Sequence, residues 1–252
     1  MSLQAPLPDI VIALVIAPFF GSFLATVALR WPDWRAIAWR PSLCEACGRR
    51  LRPYEMIPLL SWAALRGRCA TCHARISLMS PALEIAALVP AVWAATAVSS
   101  RPMFWLSCLF GWQLLLLAAI DLRLRRLPDF LTLVLLGSGL AEAILRDAVG
   151  DALVGALAGG CVLWGTAWLY RRMRGREGLG EGDGKLAAGL GSWVGLLGLP
   201  TVLAIGATVT LAAAVWAQRA KGAPTSTFAV PLGPGLAFGG WIVWLYGPIG
   251  VA

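Results

Sequence analysis

The chain has 252 residues, 59% of them hydrophobic and only 13% charged, with a mean hydropathy of +0.75 and a formal net charge of +8. That composition excludes an ordinary soluble globular domain and places the chain in lipid. The positive charge is not a nucleic-acid footprint, because the basic residues lie in loops between apolar runs and need no such partner.

In chain order, apolar runs of bilayer-spanning length fall at 9–29, 81–99, 103–120, 129–145, 151–170, 185–199, 200–217 and 229–247. They predict an all-α polytopic membrane bundle of about eight transmembrane helices. The first run has no small-residue cleavage site behind it and leads directly into Arg30-Trp31-Pro32, so it is expected to be retained rather than removed as a signal peptide. The sixth and seventh runs are separated at a tight junction, Gly198 to Pro200.

Charge orients these runs. Nine Lys and Arg fall in 30–80, three in 121–128, five in 171–185 and two in 218–228, leaving only Arg101 and Arg146 of the 21 on the other side. The positive-inside rule then puts residues 30–80 and both Asp121 and Asp183 on the cytoplasmic side and both termini outside. The expected organisation is a first span at 1–29, a cytoplasmic loop domain at 30–80, and a membrane domain at 81–252.

The loop contains Cys44-Glu45-Ala46-Cys47 and, after 21 intervening residues, Cys69-Ala70-Thr71-Cys72. Two CxxC knuckles at such a separation can present four thiolates to a structural zinc ion. A loop of this size has too little core to fold well alone, so metal binding would supply much of its folding free energy. A pair of disulfides is the competing reading, but the loop faces a reducing compartment. Redox CxxC chemistry is a third, without a thioredoxin-like unit nearby to support it. His73 reads as a surface residue, and Cys108 and Cys161, inside spans, as small apolar fillers.

Two aspartates stand where an apolar run meets water: Asp121, after LLLLAAI, and Asp183, in Gly180-Glu181-Gly182-Asp183-Gly184-Lys185-Leu186. Carboxylates are costly in a bilayer and mark function when they occur at its edge. Taken alone, Asp121 reads as an acid that ends a helix and pairs with Arg123, Arg125 or Arg126, while Asp129, beside Pro128, would stabilise a helix amino terminus. The glycines around Asp183 permit close backbone approaches but match no nucleotide-binding loop. Together the two acids suit peptide hydrolysis, which requires a base for water and an acid for the leaving nitrogen. Two close carboxylates sharing one proton supply both.

An Asp followed by Leu-Pro-Asp, then GxGDxKL, downstream of two CxxC pairs, resembles the bacterial type IV prepilin peptidases, which are GxGD-type aspartyl proteases. Further matching stretches are Gly21-Ser22-Phe23-Leu24, Arg30 with Pro32, Ile57 to Trp62, Arg66 to Cys69, Ile76-Ser77, and Pro81 with Glu84. The resemblance implies that Asp121 and Asp183 are the catalytic pair, framed by Gly180, Gly182 and Lys185, and that Cys44, Cys47, Cys69 and Cys72 form a zinc-binding loop. It also implies a bacterial inner-membrane enzyme that cuts the basic leader from prepilins and type II secretion pseudopilins after a glycine. Many such enzymes then methylate the new amino terminus with S-adenosylmethionine.

Two departures from the family pattern stand out. Ala25 replaces a common Asn, and Pro231-Leu232-Gly233-Pro234-Gly235 replaces Pro-Phe-Gly-Pro-Phe; neither is expected to touch the aspartates. Glycine pairs at 155/159, 191/195 and 235/239 have the spacing of close helix packing, and tryptophans near span ends suit an interfacial belt. The alternative from a different class is a non-enzymatic membrane protein, either a proton-coupled transporter or a secretion scaffold. Transport calls for acids near mid-bilayer, whereas these lie at the edge.

Overall fold

The computed structural model describes residues 3–175, 180–221 and 230–250. The expected basic residue Arg176 and most of the 218–228 loop lie outside the described residues. The chain divides into two units, Met1–Trp112 and Gln113–Ala252. Among the described residues all regular structure is helical, apart from two isolated β-bridges.

In the first unit, α1 (Leu7–Arg30) ends where Trp31 takes up extended backbone ahead of Pro32, as residues preceding proline prefer. It packs against α4 (Met79–Ala86) and α5 (Leu88–Ala97), which meet at Ala87 and together make the span expected at 81–99. Gly21 is required here, because a Cβ would lie 2.5 Å from the Glu84 Cα. Asp9, buried in the first turn of α1, accepts from Arg101 Nε and Trp105 Nε1, both at 2.9 Å. The intervening loop carries short helices α2 (Trp34–Trp39) and α3 (Leu60–Ala64). Buried Glu84 accepts the Leu59 amide at 2.8 Å, fixing the loop to α4.

The second unit begins within α6 (Arg101–Leu124). This helix stops because Arg125 adopts a left-handed φ of 52° and Pro128 follows shortly after. Next come α7 (Asp129–Leu145), α8 (Val149–Arg174), α9 (Glu181–Lys221) and α10 (Gly233–Tyr246). In α8 the buried residues are mostly small, Ala152, Gly155, Ala156, Gly159 and Gly160, while Leu153, Val154, Leu157 and Trp164 face outward. Large apolar side chains outside and glycines inside are the pattern of a helix packed in lipid. The glycine pairs act as expected. A Cβ on Gly155 or Gly159 would strike the backbone of Gly191 or Ala187, and one on Gly235 or Gly239 would strike that of Gly206 or Val202.

Among the described residues, five segments are long and apolar enough to cross a membrane: Leu7–Arg30, Met79–Ala97, Arg101–Leu124, Val149–Arg174 and Glu181–Ala220. The expected spans at 129–145 and 229–247 are helical over 17 and 14 residues. The two expected at 185–199 and 200–217 lie within α9, and their boundary is not at Gly198–Pro200. The break is at Gly195, whose φ of 70° departs from the helix. α10 runs parallel to the first half of α9, pairing Gly240 with Leu190 and Trp244 with Trp193, and antiparallel to the second half, pairing Gly239 with Val202 and Gly235 with Gly206. The chain therefore reverses at Gly195. Asp151 of α8 fixes the reversal by accepting the Leu196 amide at 3.1 Å, its carboxylate filling the space a Cβ at 195 would need.

Candidate active site

Asp121 lies in the last turn of α6 and Asp183 in the first turn of α9, both in the second unit and only 5% and 9% exposed. The helix ends that carry them meet, since Gly182, next to Asp183, lies against Leu127, six residues after Asp121. Each carboxylate is held by one backbone amide. Gly233 at the start of α10 donates to Asp121 Oδ2 at 3.0 Å, and Gly180 donates to Asp183 Oδ2 at 3.3 Å.

The second bond follows from the local sequence. Gly180 precedes the helix and Asp183 is its third residue, whose side chain reaches back to the capping amide as in a capping box. The first bond corrects the expectation that the Pro231–Gly235 segment stays clear of the aspartates. A Cβ at Gly233 would lie 3.0 Å from the Asp121 Cγ and nearer still to Oδ2, so the closest approach to this carboxylate requires glycine. The sequence shows this segment chiefly as a departure from Pro-Phe-Gly-Pro-Phe. Its retained glycine between two prolines was the available signal.

The motif glycines divide by role. A Cβ at Gly182 would come within 2.9 Å of the Leu127 Cβ, and one at Gly184 would overlap the Trp164 indole; at Gly180 the nearest atom would be 3.5 Å away. Gly182 and Gly184 thus let the first turn of α9 sit against the α6–α7 connection and against α8. Lys185 forms an ion pair with Asp129, joining α9 near its start to the first turn of α7. Asp129 therefore does more than stabilise its own helix terminus.

In the first unit the four loop cysteines converge, every pair of sulfurs within 4.8 Å and Cys44 Sγ to Cys72 Sγ at 3.7 Å. A tetrahedral zinc with metal–sulfur bonds of about 2.3 Å requires sulfur–sulfur edges of about 3.8 Å, so the thiols fit that ion. The two knuckles repeat one design. Leu43 bridges Arg50 as Arg68 bridges Arg75, and the Cys44 amide bonds the Arg49 carbonyl as the Cys69 amide bonds the Ala74 carbonyl. Gly48 and His73 occupy matching left-handed positions with φ of 68° and 57°. His73 is exposed, as expected, and serves as a turn residue of a type tolerated at positive φ. The Cys72 and Thr71 amides directed at Cys69 hold its thiol down to about 6, with Arg49 adding to the effect. The Cys47 and Ala46 amides likewise lower Cys44.

The chain matches two family descriptions, the bacterial peptidase A24 N-terminal domain over residues 15–98 and the type IV leader peptidase family over 108–215. It is 39% identical over 212 residues to a prepilin leader peptidase/N-methyltransferase of Aeromonas hydrophila, covering 82% of this chain and 71% of that one. A protein of the same description from Stutzerimonas stutzeri is 35% identical over 96% of this chain and 92% of its own. One from Pseudomonas aeruginosa is 34% identical over the same shares. No solved structure is a significant match. With relatives this similar along most of both lengths, the chain belongs to the type IV leader peptidase family.

Proposed function

We propose that the protein is a multi-pass inner-membrane aspartyl endopeptidase that removes the basic leader of type IV prepilins or type II secretion pseudopilins after a glycine. In this reading it also N-methylates the new amino terminus. Asp121 and Asp183 are the acid–base pair, and Gly180, Gly182 and Lys185 position the second of them. The observation that carries this is the placing of two buried carboxylates, far apart in sequence and each on its own backbone amide, where the start of α9 packs on the α6–α7 connection.

The chemistry follows from that pairing. One carboxylate, ionised, takes a proton from water as the water oxygen bonds to the scissile carbonyl carbon. The other, protonated, gives its proton to the departing amide nitrogen as the carbon–nitrogen bond breaks. The proton has then changed places within the pair, ready for the reverse assignment. Burial keeps bulk water from competing.

The chain crosses the bilayer about eight times, the two halves of α9 counting separately because they run in opposite directions. The distribution of Lys and Arg supports a cytoplasmic loop at 30–80, a cytoplasmic active site and periplasmic termini. Cys44, Cys47, Cys69 and Cys72 hold a structural zinc, which when bound joins the two knuckles and stabilises the loop. Methylation is supported by the description its relatives carry, with S-adenosylmethionine as the consumed methyl donor.

The test is incubation of the purified protein with a prepilin bearing a Gly-Phe junction, read by mass with and without S-adenosylmethionine. Loss of the leader mass is expected in both, and an added methyl only with the donor. A substrate left whole by well-folded protein overturns the peptidase reading. A cut but unmethylated product in the presence of the donor overturns the transferase half.

A further inference from the structure

Arg49 lies between the two cysteine knuckles, and its side chain joins them. Its backbone belongs to the first knuckle, where its carbonyl accepts the Cys44 amide at 2.8 Å. Its guanidinium makes a two-pronged contact with Glu55, Nη1 to Oε2 at 3.0 Å and Nη2 to Oε1 at 2.8 Å. Glu55 is itself fixed, its side chain 2% exposed and its Oε2 accepting the Arg52 amide at 2.7 Å. With the fork locked in this way, Nη2 also reaches the Cys69 Sγ at 3.9 Å. Cys69 is the one buried thiol of the four, and it belongs to the second knuckle.

We propose that Arg49, aimed by Glu55, is a positioning residue for the metal centre: it ties the first knuckle to the Cys69 thiolate of the second and offsets the negative charge that four thiolates leave around a divalent ion. The inference rests on the zinc reading above. Arginine suits the task because one nitrogen of its rigid fork can serve the carboxylate while pointing at sulfur, which a lysine ammonium, a compact point charge, does not reproduce. An ordinary surface ion pair would contribute little and would not influence the sulfurs. This pair sits against the buried ligand, where outer contacts govern how firmly a metal is kept.

The experiment uses the full-length protein in detergent. Zinc content is measured first, then zinc affinity by competition with a colorimetric chelator, and then the order in which N-ethylmaleimide modifies the cysteines, mapped by mass. Arg49→Gln should weaken zinc binding about 10- to 100-fold and make Cys69 accessible to the reagent early. Glu55→Gln should shift both readouts in the same direction to a smaller extent, and Arg49→Lys should restore only part of the affinity. A zinc-loaded wild type whose Arg49→Gln variant binds zinc as tightly and modifies in the same order overturns this inference while leaving the zinc reading intact. If Arg49→Gln does not fold, Glu55→Gln decides by the same two readouts. A wild type that purifies without zinc, and takes up none when supplied, overturns the zinc reading and this inference with it.

Discussion

The Gly233 amide donates to Asp121 Oδ2 across an interval that spans α7, α8 and α9, joining the start of α10 to the end of α6. No residue larger than glycine fits there without moving the carboxylate. Gly233→Ala should therefore displace Asp121 while leaving the bundle helical. Prepilin cleavage should fall about 10²-fold, the cost of misplacing a reacting group by roughly an ångström. Single-turnover cleavage together with circular dichroism checks this. Wild-type rates in the folded variant would show that the contact does not position the acid.

Replacing either acid by its amide removes the proton chemistry and keeps the shape. An Asn side-chain oxygen can still accept from Gly233 or Gly180, so Asp121→Asn and Asp183→Asn should fold and bind substrate. Each should lose cleavage by about 10²- to 10⁴-fold or more, the usual contribution of a general acid or base. Retained cleavage in either variant would remove that residue from the catalytic pair.

The loop should carry about one zinc per chain by elemental analysis, lost when Cys44, Cys47, Cys69 and Cys72 are all replaced by Ser. Stripping the ion with a chelator should loosen residues 42–76, seen as faster amide exchange there. The same zinc content before and after the four replacements would place the ion elsewhere.

Glu55 gives the loop an acid-sensitive contact. The Arg49 guanidinium and the Arg52 amide hold its carboxyl down to about 2, below the ordinary value of about 4.3. Because the folded value is depressed, the stabilisation is fully present above the ordinary value and fades as pH falls from about 4.3 toward 2. The gap in melting temperature between wild type and Glu55→Gln should be constant near neutrality and close over that acid window. A gap that persists unchanged to the bottom of the window would count against the contact.

How much of this was legible in the sequence depends on the range of the interaction. Apolar runs located the helices, because a bilayer selects long hydrophobic segments whatever their neighbours. The sequence suggests a junction between the sixth and seventh runs at Gly198 to Pro200. The actual break at Gly195 is set by the Asp151 carboxylate from α8, and no local pattern records it. Asp183 and its glycines were readable, since the capping contact with Gly180 spans three residues. Gly233 was not, because its partner is more than a hundred positions away. The paired knuckles were clear from CxxC spacing, whereas the Arg49–Glu55 fork between them left no periodic trace.

The contact between Gly233 and Asp121 also bears on timing during synthesis. A nascent chain would place both acids before α10 leaves the ribosome, and the amide that orients Asp121 arrives only with that helix. An immature protease would thus lack one prop of its own centre, delaying attack on neighbouring clients until the final helix docks.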